Sequence, residues 1–177
     1  LPIYLPGAEH LPFGDVDALH AAFAAGDVAA LIVEPIQGEG GVRVQPDAWI
    51  EAACELTARH DALLVADEVQ TGLGRTGTFL RSSRWPRRPD AVLLAKQLGG
   101  GLVAVSALLT TPAWFHRAYG QDFEDGESHN VTFSYNALAM IAALATLELV
   151  DDALLEGVRQ RGLRFRQRLE DTLAGHP

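Results

Sequence analysis

The sequence predicts an α/β fold, a mostly parallel sheet held between helices. Two short, uninterrupted apolar runs, Ala62 to Ala66 and Ala91 to Ala95, have the form of strands buried on both faces of a parallel sheet. Helical patterns with three- and four-residue apolar spacing alternate with these runs, the order that builds such a sandwich. The 177 residues, 48% of them hydrophobic, can close one modest domain around a real core.

The elements follow in order. Asp15 to Gly26 is predicted as a helix with an aspartate cap and a glycine stop, and Ala29 to Glu34 as a strand whose exit is fixed by Pro35. Ile36 to Gln45, with Gly38, Gly40 and Gly41, reads as a glycine-rich loop. Pro46-Asp47 opens a helix carrying Trp49, Ala52, Ala53 and Leu56 on one face and ending near His60. The two buried strands are joined by Thr71 to Pro89, a polar stretch rich in glycine and arginine that is predicted as a long surface or functional loop. Val103 to Thr110 reads as a third strand of the same kind. Pro112 then starts a short helix, Gln121 to His129 is a polar loop, and helices run from about Asn136 to Val150 and from Asp152 to Leu173.

Composition removes several classes of function. Fourteen basic against 23 acidic residues give a net charge of −9, and the basic clusters Arg84 to Arg88 and Arg159 to Arg168 fall in a loop and on a helix. Nucleic-acid binding is therefore not expected. The single Cys54 excludes an intrachain disulfide framework and is expected in a helix core, and the six scattered histidines lack metal-ligand spacing. Leu1-Pro-Ile-Tyr-Leu-Pro has neither a basic start nor a sustained apolar stretch, so no signal peptide or membrane span is expected, and the protein is predicted to be cytoplasmic. The missing initiator methionine and an end at Gly175-His-Pro177, just after an unfinished helical pattern, lead us to expect a fragment.

Asp67 and Lys96 each end an apolar run. Ligands of open α/β sheets sit beyond the carboxyl ends of the strands. A carboxylate and a lysine there point to pyridoxal phosphate chemistry, which needs an amine to hold the cofactor aldehyde as an imine and an acid to keep the pyridine nitrogen protonated. Taken alone, the pair equally fits a strand-end cap and a solvated lysine. Two rival motifs are weak. Gly72-Leu-Gly-Arg-Thr-Gly77 matches a dinucleotide fingerprint, but Arg84-Trp-Pro-Arg-Arg-Pro89 cannot supply the helix that must follow. Leu63-Leu-Val-Ala-Asp-Glu68 imitates the magnesium-holding strand of P-loop ATPases, yet the chain has no GxxxxGK[ST] phosphate loop.

Four segments, Val33-Glu-Pro-Ile-Gln-Gly-Glu-Gly-Gly41, Asp67-Glu-Val-Gln-Thr-Gly-Leu-Gly-Arg-Thr-Gly77, Leu94-Ala-Lys-Gln-Leu-Gly-Gly-Gly101 and His129-Asn-Val-Thr-Phe133, resemble the class III aminotransferases in order and spacing. The resemblance covers nearly the whole chain. It implies the large domain of a fold-type I pyridoxal phosphate-dependent transferase, with residues 1–150 as its central part and 151–177 as a helix leading toward a carboxy-terminal small domain. It also implies an enzyme that moves an amino group from an amine or ω-amino acid donor to an oxo-acid acceptor in two half-reactions. Lys96 would hold the cofactor and act as general base, and Asp67 would pair with the ring nitrogen. Val69 would pack on a ring face, and Gln70 would bond the phenolic oxygen. Thr132 matches a threonine that binds the cofactor phosphate of the neighbouring subunit, which implies a homodimer. Glu39 matches a glutamate that pairs with an arginine absent from this chain and can open to admit an α-carboxylate. Glu34 and Glu68 would make structural hydrogen bonds, and Arg75 is read as a solvated loop arginine, with contact to a carboxylate or phosphate as the alternative.

The chain departs from the family pattern at Gln97, where glycine is common, at Val103-Ala-Val-Ser106 in place of a proline-containing segment, and at Asn136-Ala137 in place of Asn-Pro. These departures leave the subfamily open. Alternative readings are an aminomutase of the glutamate-1-semialdehyde type and a non-catalytic truncated remnant.

Overall fold

The computed structural model describes residues 6–120 and 132–176. Helix α1 (Val16–Ala24) begins where the Asp15 carboxylate accepts the Ala18 N–H at 2.8 Å, and Gly26 leaves it in a left-handed turn with φ 84°. Strand β1 (Ala30–Val33) follows, then β2 (Ile36–Gln37) and β3 (Arg43–Val44). Helix α2 (Asp47–Arg59) starts after Pro46, whose fixed φ suits a helix entry. Strand β4 (Leu63–Asp67), strand β5 (Ala91–Leu94) and strand β6 (Ala107–Thr110) come next, with single 3₁₀ turns at Arg81–Arg84 and Lys96–Gly99. Helix α3 (Pro112–Tyr119) is capped by Thr111, α4 (Ala137–Leu149) by Asn136 and α5 (Asp152–Leu173) by Asp151.

The main sheet has the order β1-β4-β5-β6. The first three strands are parallel, and β6 runs antiparallel to β5, pairing Ala91 with Thr110 and Leu94 with Ala107. Helices α1 and α2 close a core over β1 and β4 in which Leu19, Phe23, Val33, Trp49, Ile50, Leu56 and Leu64 are buried. Each such side chain contributes about 1.5–3 kcal/mol by leaving water. A smaller cluster of Ala66, Leu73, Val92, Leu94, Leu98 and Ala143 lies under the 3₁₀ turn at residue 96 and links it to α4. Cys54 is buried on α2, and burial pushes its thiol pKa up, a rise partly offset by Arg87.

One polar network aligns the entry to β4 and β5. The Asp90 carboxylate accepts the Leu64 N–H at 2.8 Å and two bonds from Arg87 Nη1 at 3.1 Å, while Arg87 Nη2 donates to Thr57 Oγ1 at 2.9 Å. This fixes the strand starts, so the residues at the opposite, carboxyl ends keep a defined register.

The expected elements differ from the structure in three places. The segment Ile36 to Gln45 is a hairpin, with Ile36 opposite Val44 and Gln37 opposite Arg43, and only its tip is loop. The third apolar run forms a strand only over Ala107–Thr110, and that strand is antiparallel. The link from Gly99 to Ser106 contains no helix that could carry the chain back for a parallel crossover. The long segment after Thr71 is not a solvated loop throughout, because Thr71, Gly72, Leu73, Gly74, Gly77 and Ser82 are buried. Among the described residues no helix is long and apolar enough to cross a membrane, and no group of three or more His, Cys, Asp or Glu could hold a metal ion.

Candidate active site

The carboxyl ends of β4 and β5 lie side by side, with Asp67 in register with Leu93. Asp67 closes β4, and its Oδ1 accepts the Val69 N–H at 3.0 Å. That bond turns the chain sharply while leaving Oδ2 without a partner among the described residues. Glu68, just past the strand end, is turned into the protein instead. Its carboxylate is 1% exposed, accepts the Ser82 N–H at 2.6 Å and bonds the Thr71 hydroxyl. It thereby ties the segment after β4 to the 3₁₀ turn at residue 81. Gly72 completes the bend where no side chain fits, since a Cβ there would lie 2.8 Å from both the Glu68 carbonyl oxygen and Leu94 Cδ2.

Lys96 follows β5 after one residue and begins its 3₁₀ turn with φ 44°. A non-glycine residue in this left-handed region costs about 1–2 kcal/mol and persists only where its surroundings enforce it. Leu98 and Gly99 supply that enforcement, buried just beyond it, and the Leu98 N–H bonds the Ala95 carbonyl at 2.9 Å. The lysine side chain is exposed and has no hydrogen-bond or ionic partner among the described residues.

Lys96 opens into a cavity of about 900 Å³ with three walls. The hairpin gives Ile36, Gly38 and Val42; the segment after β4 gives Gln70, Thr71, Arg75 and Thr76; the turn after β5 gives Lys96, Gln97, Gly100 and Gly101. Gln70 Nε2 donates to Glu39 Oε1 at 3.0 Å, and its side chain lies so close over Gly38 that a Cβ there would sit 1.7 Å from Gln70 Oε1. A side chain at 38 would therefore displace the Gln70 amide from its present position. Gln97 Nε2 donates to the Gln70 carbonyl at 3.0 Å and to the Gly72 carbonyl at 3.3 Å.

Of the residues predicted for the site, Lys96 and Gln70 line one cavity together. Asp67 and Val69 stand half-buried beside it, on the same strand end but outside its lining. Glu39 reaches it through Gln70. Thr132 sits in an exposed turn before α4 and outside the lining, while His129 of the same motif lies outside the described residues. Glu68 makes the hydrogen bonds expected of it, whereas the Glu34 carboxylate makes none with the described residues. Arg75 is exposed, as expected, but lies in the cavity wall. The stretch Gly72 to Gly77 is followed by turns instead of the helix a dinucleotide site needs. The cavity residues not anticipated are Ile36, Gly38, Val42, Thr71, Thr76, Gln97, Gly100 and Gly101.

A family model, Aminotransferase class-III, matches residues 8–176. Among solved structures, the ornithine aminotransferase of Toxoplasma gondii is 36% identical with a TM-score of 0.87, over 99% of this chain and 40% of its own, and was found with partial occupancy of PLP at its active site. The acetylornithine aminotransferase of Elizabethkingia anophelis is also 36% identical, with a TM-score of 0.84, over 96% of this chain and 41% of its own. The ornithine δ-aminotransferase of Plasmodium falciparum is 33% identical, with a TM-score of 0.84, over 97% of this chain and 43% of its own. The chain thus spans about two fifths of the length of these proteins.

Proposed function

The chain belongs to the class III aminotransferases, a family that uses pyridoxal phosphate, and on that premise we propose that the whole protein passes an amino group from an amine or ω-amino acid donor to an oxo-acid acceptor. The observation that carries this reading is Lys96, an unpaired amine held in a left-handed turn at the mouth of a strand-end cavity. Residues 1–150 would be the central part of the cofactor-binding domain, and 151–177 would lead toward a small domain.

The residues present fit the cofactor. The cavity volume is that of a small-molecule site. Asp67 keeps one carboxylate oxygen for a ring nitrogen, and Gln70 keeps a second amide hydrogen beside the one given to Glu39. When bound, pyridoxal phosphate supplies an electron-accepting ring. Lys96 would hold its aldehyde carbon until a donor amine takes that place, then remove the proton from the donor carbon and deliver it to cofactor C4′. Asp67 would keep the ring nitrogen protonated, Gln70 would donate to the phenolic oxygen, and Val69 would pack on a ring face. Glu39, exposed and engaged only by the Gln70 amide among the described residues, would be available for an arginine of the longer protein and so gate an α-carboxylate. Thr132 would reach the phosphate of a neighbouring subunit, which makes the protein a homodimer.

The solved neighbours act on ornithine and acetylornithine by name, so these two are the donors to try first. The test is the visible absorbance of the full-length protein with pyridoxal phosphate, alone and with each donor. A band that requires Lys96 and is bleached by one donor supports the proposal; a band unchanged in Lys96→Ala overturns it.

A further inference from the structure

Gln97 has no part in the roles assigned above, yet it joins the two halves of the site. Its single amide nitrogen carries two hydrogens, and the two carbonyls it meets, Gln70 at 3.0 Å and Gly72 at 3.3 Å, each receive one. Both acceptors belong to the segment that leaves β4 through Asp67, and the donor belongs to the turn that leaves β5 through Lys96. The link spans 27 and 25 residues of sequence. Backbone carbonyls in partly buried segments need partners; where the ladder between β4 and β5 has ended, at Asp67 opposite Leu93, the Gln97 side chain supplies the one for Gln70 and adds a second donor at Gly72, whose carbonyl also accepts the Arg75 N–H at 3.3 Å.

We propose that Gln97 is a positioning residue that sets the distance between the Lys96 amine and the Gln70 amide, acting through the Gln70 and Gly72 carbonyls without touching the reacting atoms. The inference rests on the reading that Lys96 and Gln70 hold pyridoxal phosphate. The turn at Lys96 starts from a strained φ, so it has a relaxed alternative to fall into when a neighbouring restraint is removed. Gln70 is held on the hairpin side by Glu39 and on the β5 side by Gln97. Loss of the second restraint leaves Gln70 following the hairpin and Lys96 following β5.

The experiment uses the full-length protein with pyridoxal phosphate and the variants Gln97→Met, which removes both donors at nearly constant volume, Gln97→Glu, which keeps the shape and sets oxygen against oxygen, and Lys96→Ala. Cofactor dissociation constant, the pH midpoint of the visible band, kcat and KM are measured, with thermal melting as the check on folding. Both Gln97 variants are expected to bind the cofactor about tenfold more weakly and to lose about tenfold in kcat, with KM for the donor changed by less than about twofold. The band midpoint is expected to move, because the amine and the phenolic oxygen would no longer share one environment. A Lys96-dependent band in the wild type, with both Gln97 variants within about twofold of it in cofactor affinity and kcat and with an unmoved midpoint, overturns the inference alone. No Lys96-dependent band in the wild type overturns the functional reading and the inference with it. Failure of both Gln97 variants to fold marks Gln97 as purely structural and also overturns it.

Discussion

The two helical sides of this molecule are finished to different degrees. Around α1 and α2 the apolar residues are spent inside the chain: Leu19, Phe23, Trp49, Ile50 and Leu56 are all buried against β1 and β4. Helix α4 is apolar on nearly every face, yet it buries only Ala139 and Ala143, while Leu138, Ile141 and Leu144 are 64%, 64% and 61% exposed. A helix that is apolar all round belongs to an interior. The first region is a core closed by its own sequence, and the second leaves an apolar face uncovered by the described residues. The candidate site lies at the boundary, its strand ends fixed by the closed side and its far wall joined to the open one through Leu98 and Ala143.

The largest effect that would sharpen this contrast falls on the boundary. Lys96→Ala in the full-length protein is expected to lower turnover on the order of 10³-fold or more with little change in melting temperature, measured by steady-state rates and calorimetry. Next come the two helical sides. Phe23→Ala should cost about 3–5 kcal/mol in a denaturant titration of the full-length protein. Leu144→Ala in that protein is expected to cost about 2 kcal/mol or more, although it removes an exposed side chain here. A value within about 0.5 kcal/mol of zero would mean that water covers this face in the whole protein, and the contrast would collapse. Glu68→Ala is smaller, about 1–3 kcal/mol, because it leaves the Ser82 N–H without its partner.

The smallest effect concerns Cys54. Its thiol pKa is raised by burial, so the folded state holds this proton more tightly than the unfolded chain does. The resulting stability is fully present below the unfolded thiol pKa and is lost as pH rises toward the folded value. Thiol labelling is expected to be slower in buffer than in denaturant at the same pH, and melting of Cys54→Ala should fall less steeply above pH 8.5, about the ordinary thiol value.

What could be read before the structure follows how local each signal is. Asp15 and Gly26 announce α1 because a cap and a stop act within one turn, and Pro46 does the same for α2. Asp67 and Lys96 stood out because each interrupts an apolar run, and both are found at adjacent strand ends. The hairpin leaves little trace in the sequence because each of its strands has two residues and the pairing of Ile36 with Val44 crosses a glycine turn. The direction of β6 was hidden, since an apolar run specifies a strand and not its orientation. The role of Gln97 was invisible for a different reason. Its partners are backbone carbonyls, which every residue carries, so only the placement of Gln70 and Gly72 could reveal them.

The backbone at Lys96 also makes this position a record of use. With φ at 44°, the fold alone would favour glycine or asparagine there. In a lineage freed from selection for chemistry, drift would be expected to replace this lysine early, before the packing of Leu98 or Ala143 changed. A lineage that still carries lysine in that turn would be one in which the amine has kept earning its place.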